Sequence, residues 1–141
     1  HGLHVEMLAH SHLHLAELAP QVPDLPVRIV FDHCAWPDPA QGVTEGQKAL
    51  EHLLAEGQAW VKLSATYRHT PDPRDLIARL ARANPDQILW GSDWPHLMLG
   101  DAAMPDAGAQ LNLLLEAIPD TDTQARLFVA NPTALYRLDE T

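Results

Sequence analysis

Apolar and polar positions alternate along this chain in four repeats of one pattern, a short apolar run followed by a helical stretch. The runs predict strands at 3–8, 27–32, 59–64 and 88–92. The helical spacing predicts helices at 14–19, 45–55, 74–83, 107–117 and 122–129. Strands that alternate with helices indicate βαβ units and a parallel sheet, so the pattern predicts an α/β fold.

Residues at the ends of these segments support the predicted boundaries. A proline-rich breaker, 20–26, precedes the second run, and Thr44 is a candidate N-cap for the helix at 45–55. Asn84-Pro85 ends the helix at 74–83, and Asn131-Pro132 predicts the cap of a closing turn through Leu135.

The order of the segments favours part of a barrel over a dinucleotide-binding domain, because no glycine-rich fingerprint follows a strand. Four strands are half of a (β/α)₈ barrel, whose usual length is about 250 residues. We therefore interpret residues 1–141 as half of one barrel domain and expect a longer protein upstream of His1. A doubly wound sheet is the alternative.

The fourth run ends in Gly91-Ser92-Asp93-Trp94-Pro95-His96. Gly91 allows close approach of backbone or substrate, and Pro95 stops the strand. Asp93 is then expected just past the carboxyl end of a parallel strand, where barrels place their chemistry. The alternative is that Asp93 is an ordinary turn or N-cap residue.

Side-chain alternation brings polar residues of the other strands to the same end. In the first strand, Leu3, Val5 and Met7 form the face expected to pack on helices, which leaves His4 and Glu6 inside. Buried glutamate is rare unless paired, so Glu6 is either a site residue or the partner of Lys62. The other strand-end groups on shared faces are Ile29 with Phe31 and His33, Trp60 with Lys62 and Ser64, and Leu89 with Gly91 and Asp93.

His33 and Asp93 suit two kinds of chemistry. They are candidate ligands of a divalent metal, zinc or manganese, although two protein ligands are too few for a catalytic site. Alternatively, Asp93 deprotonates a water while His33 orients it or polarises a carbonyl. Lys62, Arg68 and His69 supply positive charge, and Arg68 can bind a carboxylate in bidentate fashion unless it is a solvated loop residue.

Other conspicuous residues are assigned structural roles. His10-Ser11-His12-Leu13-His14 has metal-binding spacing but lies in a loop before a helix, so we predict a loop or surface role. Cys34 is predicted to be a buried packing residue. Trp36 and Trp94 are candidate pocket walls.

Composition excludes several classes of partner. Nine Lys and Arg against nineteen Asp and Glu give a net charge of −10, which argues against nucleic acid and anionic membranes. No apolar run approaches the ~20 residues of a membrane span. With one cysteine there is no internal disulfide, and we expect a cytoplasmic protein that binds a small molecule.

The order and spacing of four motifs carry a family resemblance. The motifs are Phe31-Asp32-His33, 60–64 with Tyr67-Arg68, 91–96, and Asn131-Pro132 with Leu135-Tyr136. Over essentially the whole chain, the sequence resembles the carboxyl-terminal half of amidohydrolase-related metal-dependent hydrolases, in particular the 2-pyrone-4,6-dicarboxylate lactonase and sulfomuconolactonase group.

The resemblance implies a (β/α)₈ barrel whose strands 5–8 are the strands seen here, with the family's H-x-H pair on an upstream strand. It implies that Asp93, on the eighth strand, is the base that activates water, and that His33, on the sixth, lies near substrate or metal. The wider superfamily holds one or two metal ions, whereas members of the lactonase group are thought to work without a tightly held metal. Leu8 and the acidic Glu6 depart from what a dicarboxylate would need.

The sequence thus predicts a hydrolase that, as the intact protein, opens a lactone or related cyclic ester of a carboxylate-bearing small molecule. Asp93 and His33 are its catalytic residues and the candidate metal ligands. Its substrate-binding residues are Arg68, Tyr67, Glu6 and His96. The alternatives are a catalytically inactive half-barrel that dimerises through its exposed sheet edges, and a doubly wound binding domain without chemistry.

Overall fold

The computed structural model describes residues 2–138 and contains one sheet of four parallel strands. The strands are β1 (His4–Met7), β2 (Arg28–Phe31), β3 (Trp60–Leu63) and β4 (Ile88–Trp90). They lie side by side in chain order, and each neighbouring pair is parallel. The predicted α/β class with a parallel sheet is confirmed.

Helices follow each strand, as the pattern predicts. The α-helices are α1 (Leu15–Leu18), α2 (Glu45–Ala55), α3 (Arg74–Ala83), α4 (Ala107–Ala117), α5 (Thr121–Ala125) and α6 (Asn131–Tyr136). Short 3₁₀ helices cover Ala19–Asp24, His33–Ala35, Pro39–Gln41 and Thr66–Arg68, and a π-helical segment, Arg126–Ala130, joins α5 to α6. No helix within residues 2–138 has the length and apolar character needed to cross a membrane.

The boundary residues behave as predicted at α2 and α3 and differently elsewhere. Thr44 forms a capping box with Gln47, and Asn84 is the C-cap of α3. The breaker at 20–26 is in part a 3₁₀ helix, because proline fits the first turn of a helix. The closing turn predicted at Asn131 is wrong, since this residue begins α6.

The two faces of the sheet have different surroundings. On one face, Ile29, Phe31 and Val61 belong to the main core, to which α2 and α3 contribute leucine and isoleucine side chains. On the other face, Val30, Trp60, Leu89 and Leu135 form a smaller apolar cluster. Leu135 belongs to α6, so this helix lies on the face opposite to the main core.

The prediction that Leu3, Val5 and Met7 all pack on helices is wrong for two of them. Met7 packs against the main core, but Leu3 and Val5 are 73% and 42% exposed. β1 pairs only with β2, so within residues 2–138 no strand lies beyond β1 to cover its outer side. One edge of the sheet is therefore open and apolar.

Candidate functional site

A cavity of about 280 Å³ lies at the carboxyl ends of β2, β3 and β4. It is lined by Asp32, His33, Lys62, Ser64, Trp90, Gly91, Asp93 and Tyr136. The predicted pair His33 and Asp93 is therefore brought together, on the sheet end where α/β folds place ligands. Asp32, Ser64 and Tyr136 join them.

Side chains from the loop after β3 hold the carboxylate of Asp93. Its Oδ2 accepts a hydrogen bond from the Tyr67 hydroxyl at 2.6 Å and from Arg68 Nε at 3.2 Å, and Arg68 Nη2 lies 3.1 Å away. Burial and the neighbouring carboxylate raise the pKa of Tyr67 to about 12, so the phenol stays protonated and donates. An N-cap carboxylate accepts from backbone N–H groups, whereas the described partners of the Asp93 carboxylate are side chains. These partners bind Oδ2, so Oδ1 faces the cavity and His33.

His33 reaches the cavity by a route that strand alternation does not predict. β2 ends at Phe31, and the four residues from His33 to Trp36 all have positive φ, between 40° and 56°. This left-handed turn carries the imidazole away from the main core, where Ile29 and Phe31 pack. The prediction that His33 shares their face is therefore wrong, although its position at the cavity is as expected.

The His33 imidazole lies between a hydroxyl and a carboxylate. Its Nδ1 is 2.8 Å from Ser64 Oγ, and its Nε2 is 3.7 Å from Asp93 Oδ1. His69 Nε2 donates to the His33 carbonyl oxygen at 2.9 Å, and its ring packs edge-on against Trp36. Burial lowers the pKa of His69 to about 4, so this imidazole is neutral at neutral pH.

Lys62 forms a charged cluster on the cavity side of the sheet. Its Nζ lies 2.6 Å from Glu6 Oε2 and 3.1 Å from Asp32 Oδ1. Burial alone would lower the pKa of Lys62, but the two carboxylates outweigh it and raise that pKa above its usual value. Of the two roles considered for Glu6, the structure shows the pairing with Lys62. Sequence reasoning missed Asp32, although its alternation with Val30 placed it on this face.

The lining of this cavity does not include His96, Arg68 or Trp94. His96 is only 3% exposed and packs edge-on against the Tyr67 ring, outside the cavity lining. Arg68 donates to Asp93 and, through Nη2, to the Leu97 carbonyl at 2.7 Å, so it is not a solvated loop residue. Trp94 is 75% exposed and lies outside the lining of this cavity.

Three further predictions, on the placement of Cys34, Trp36 and the segment 10–14, agree with the structure. Cys34 is buried, and its burial raises the thiol pKa to about 12, which fits a packing residue. Trp36 lines a second cavity of about 290 Å³ and stacks on His10. The segment 10–14 is a turn that leads into α1.

The donor set does not by itself make a metal site. Among the residues described, no group of three or more His, Cys, Asp and Glu side chains is arranged to hold an ion. His33 and Asp93 contribute two donors, and the guanidinium of Arg68 lies against the second oxygen of Asp93. A dication at this pair would need ligands from outside residues 2–138.

Enzymes built on parallel α/β sheets place their active sites at the carboxyl ends of the strands, where this chain has a carboxylate and an imidazole. The amidohydrolase family model matches residues 1–138, and the chain belongs to the amidohydrolase family. The family resemblance of the sequence is thereby confirmed.

Two curated relatives act on lactones or pyrones by name. The chain is 34% identical over 127 residues to 4-sulfomuconolactone hydrolase of Hydrogenophaga intermedia, a match that covers 84% of this chain and 42% of the relative. It is 33% identical over 132 residues to 2-pyrone-4,6-dicarboxylate hydrolase of Comamonas testosteroni, covering 82% of this chain and 43% of the relative. The chain thus spans less than half the length of these relatives.

Solved structures have the same fold, and the chain matches about half of the length of each. A probable 2-pyrone-4,6-dicarboxylic acid hydrolase from Acinetobacter baumannii, with citric acid bound, superposes with a TM-score of 0.81 at 25% identity, covering 97% of this chain and 53% of that one. An amidohydrolase from Burkholderia multivorans with bound zinc superposes with a TM-score of 0.77 at 18% identity, covering 94% and 52%. The second likeness is one of fold alone.

Proposed function

We propose that the intact protein hydrolyses a lactone or related cyclic ester of a carboxylate-bearing small molecule. One observation carries the proposal: Asp93 is held by Tyr67 and Arg68 so that its Oδ1 faces His33 across the cavity. The names of the two curated relatives support the same substrate class.

Each residue has a role in the proposed reaction. Asp93 Oδ1 takes a proton from a water molecule, and the hydroxide forms a bond to the lactone carbonyl carbon. A hydrogen bond from His33 stabilises the negative charge that develops on the carbonyl oxygen. When the tetrahedral intermediate collapses, the ring C–O bond breaks and the released oxygen takes up the proton that Asp93 accepted from water. The product is the ring-opened hydroxy acid or its keto tautomer.

Arg68 is the proposed anchor for the substrate carboxylate. Its Nε and Nη2 are used by Asp93 and Leu97, and the guanidinium has further N–H groups on Nη1. Glu6 is paired with Lys62, so we propose that it sets the charge of the cavity rather than contacting substrate.

The half-barrel interpretation is part of this proposal. The relatives are more than twice as long as the matched segment, and β1 and β4 each have one open edge among the described strands. We propose that four upstream strands pair with these edges and close the barrel, so that β1–β4 are its strands 5–8. A zinc or manganese ion at His33 and Asp93 stays a prediction that requires ligands from that upstream half and an unprotonated Nε2 on His33.

The test is Asp93→Asn in the full-length protein, assayed with lactones that carry and lack a carboxylate. Asparagine keeps the shape but cannot accept the proton, so we expect the rate of hydrolysis to fall by about 100-fold or more. Asp101→Asn, at an exposed aspartate outside the cavity lining, is the matched control and should keep full activity. Near-complete activity of Asp93→Asn would contradict the assignment of Asp93 as the general base.

A further inference from the structure

The hydroxyl of Ser64 has a single described partner, the Nδ1 atom of His33. Ser64 is 4% exposed, and its Oγ lies 2.8 Å from that nitrogen. Neutral imidazole carries one proton, so one ring nitrogen donates and the other accepts. Nε2 is the nitrogen that faces Asp93. The direction of the Ser64 hydrogen bond therefore determines whether Nε2 carries the ring proton.

Two placements of the protons are possible, and they differ in how many polar groups are satisfied. If Nδ1 carried the proton, it would donate to Ser64 Oγ, and the serine hydrogen would need another acceptor. No second partner of this hydroxyl occurs among residues 2–138. The Nε2 lone pair would then face the Oδ1 lone pairs of Asp93 at 3.7 Å, an arrangement that is electrostatically unfavourable.

The other placement satisfies both sides of the ring. Ser64 donates its hydroxyl hydrogen to Nδ1, and the ring proton sits on Nε2, on the side of Asp93. A buried hydroxyl gains its acceptor, and the carboxylate meets an N–H group instead of a lone pair.

We propose that Ser64 is a positioning residue that fixes His33 in the Nε2–H tautomer. His33 then presents a hydrogen-bond donor to the cavity, and Asp93 presents the acceptor. This inference rests on the proposed function for its catalytic consequence: the imidazole polarises the carbonyl and the carboxylate is the base. The tautomer itself can be measured whether or not a lactone is the substrate.

Gly91 contributes to the placement of Ser64. A Cβ atom at position 91 would lie 3.2 Å from the Cβ of Ser64 and 3.8 Å from its Oγ. The absence of this Cβ lets β4 approach the end of β3 closely, so that the serine sits directly beside the His33 ring. The glycine of the Gly91–His96 motif thus has a second use besides access to Asp93.

Nitrogen-15 NMR of the full-length protein, labelled at histidine, measures the tautomer directly. Spectra are recorded at increasing pH until the histidine signals no longer change, and His33→Gln identifies the His33 signals. We expect the wild-type pattern of a protonated Nε2 and an unprotonated Nδ1. A proton found on Nδ1 would overturn the proposal without any activity assay.

Variants at position 64 test the cause. Ser64→Ala removes the donor to Nδ1, so we expect a mixture of tautomers and a fall in kcat of about 10- to 100-fold with little change in KM. Ser64→Thr keeps the hydroxyl and should retain the Nε2–H signal. Ser11→Ala removes another buried serine hydroxyl, which has no partner among the described atoms, and should change neither the tautomer nor kcat.

The outcomes separate this inference from the proposed function. If Ser64→Ala keeps both the wild-type tautomer and the wild-type kcat, Ser64 is not the positioning residue and the inference fails. If the tautomer depends on Ser64 but no lactone is hydrolysed, the inference about the ring holds and the proposed function fails.

Discussion

The chemistry of single side chains in this protein depends on what surrounds them. Asp93 is bound by a phenol and a guanidinium, whereas Asp32 is bound by the ammonium group of Lys62. The first arrangement leaves one carboxylate oxygen on the cavity, and the second forms part of a three-charge cluster with Glu6. The carboxylates that follow β2 and β4 therefore receive different roles.

His69 provides a prediction at this scale, because its neutral ring is built into the loop behind His33. The pKa of His69 is about 4 in the fold, lowered by burial, against 6.5 for a free histidine. Between these values the unfolded chain binds a proton that the folded chain does not. The free energy of unfolding should therefore fall as the pH drops from 6.5 to 4, by about 3 kcal/mol for this residue.

Denaturant unfolding of the full-length protein at several pH values checks this prediction. His69→Gln cannot titrate, so its stability should decline less steeply than that of the wild type over the same range. His52→Gln, at an exposed histidine of α2, should follow the wild-type slope. Identical slopes for His69→Gln and wild type would contradict the prediction.

At the scale of elements, α6 has a larger role than a closing turn. Leu135 packs in the small apolar cluster on the cavity side of the sheet, and Tyr136 lines the cavity itself. Arg28 of β2 donates to the Ala134 carbonyl of α6 at 3.0 Å. The last helix of the described chain is thus attached to the sheet and forms part of the candidate site.

Asn131 is the residue whose replacement should loosen this attachment. Its buried amide donates to the Pro85 and Ile88 carbonyls at 2.9 and 2.8 Å, which ties the start of α6 to β4. Asn131→Ala leaves both carbonyls without this donor, so we expect a loss of about 2 kcal/mol in the free energy of unfolding. Asn112→Ala, on the exposed side of α4, should change stability by less than about 0.5 kcal/mol. Equal effects of the two variants, measured by denaturant unfolding, would refute a structural role for the Asn131 amide.

At the scale of the whole molecule, the sheet described within residues 2–138 has an open edge at β1 and another at β4. Among the described strands β1 pairs only with β2, and the exposed Leu3 and Val5 lie at its free edge. Such an edge pairs readily with another strand. In the full-length protein we propose that the partner is the upstream half, and for the chain of 141 residues alone it is a second copy.

Sedimentation of the 141-residue chain tests this association. We expect dimers or larger species, and we expect Val5→Lys to shift the population towards monomer because the added charge opposes edge pairing. Val129→Lys, at an exposed valine remote in sequence from β1, serves as the control and should sediment like the parent chain. A monomeric parent chain would count against pairing through the edges.

Much of the fold was predictable because its signals are local. The apolar runs located all four strands to within one or two residues, and α2, α3 and α4 have the predicted bounds. Asp93 was identified by the end of an apolar run at Gly91 and the stop at Pro95. The pairing of Glu6 with Lys62 was one of two alternatives that the sequence left open, because buried glutamate is rare unless it is paired.

The residues that were missed or misplaced depend on contacts between distant segments. His33 turns to the cavity because four left-handed residues follow β2, and no alternation rule describes that turn. Ser64 acquires its role from His33 and Gly91, which lie 31 and 27 positions away along the chain. Tyr136 enters the cavity only because α6 folds back onto the sheet.

The sequence by itself determined the order of strands and helices, the parallel sheet and the strand ends that carry the polar residues, because hydrophobic periodicity and turn chemistry act over a few residues. Only the tertiary structure decided which atoms meet: Asp93 with Tyr67 and Arg68, and the His33 ring with Ser64. Those contacts depend on backbone conformation after the strands and on close packing between them, which act over distances that no local pattern records.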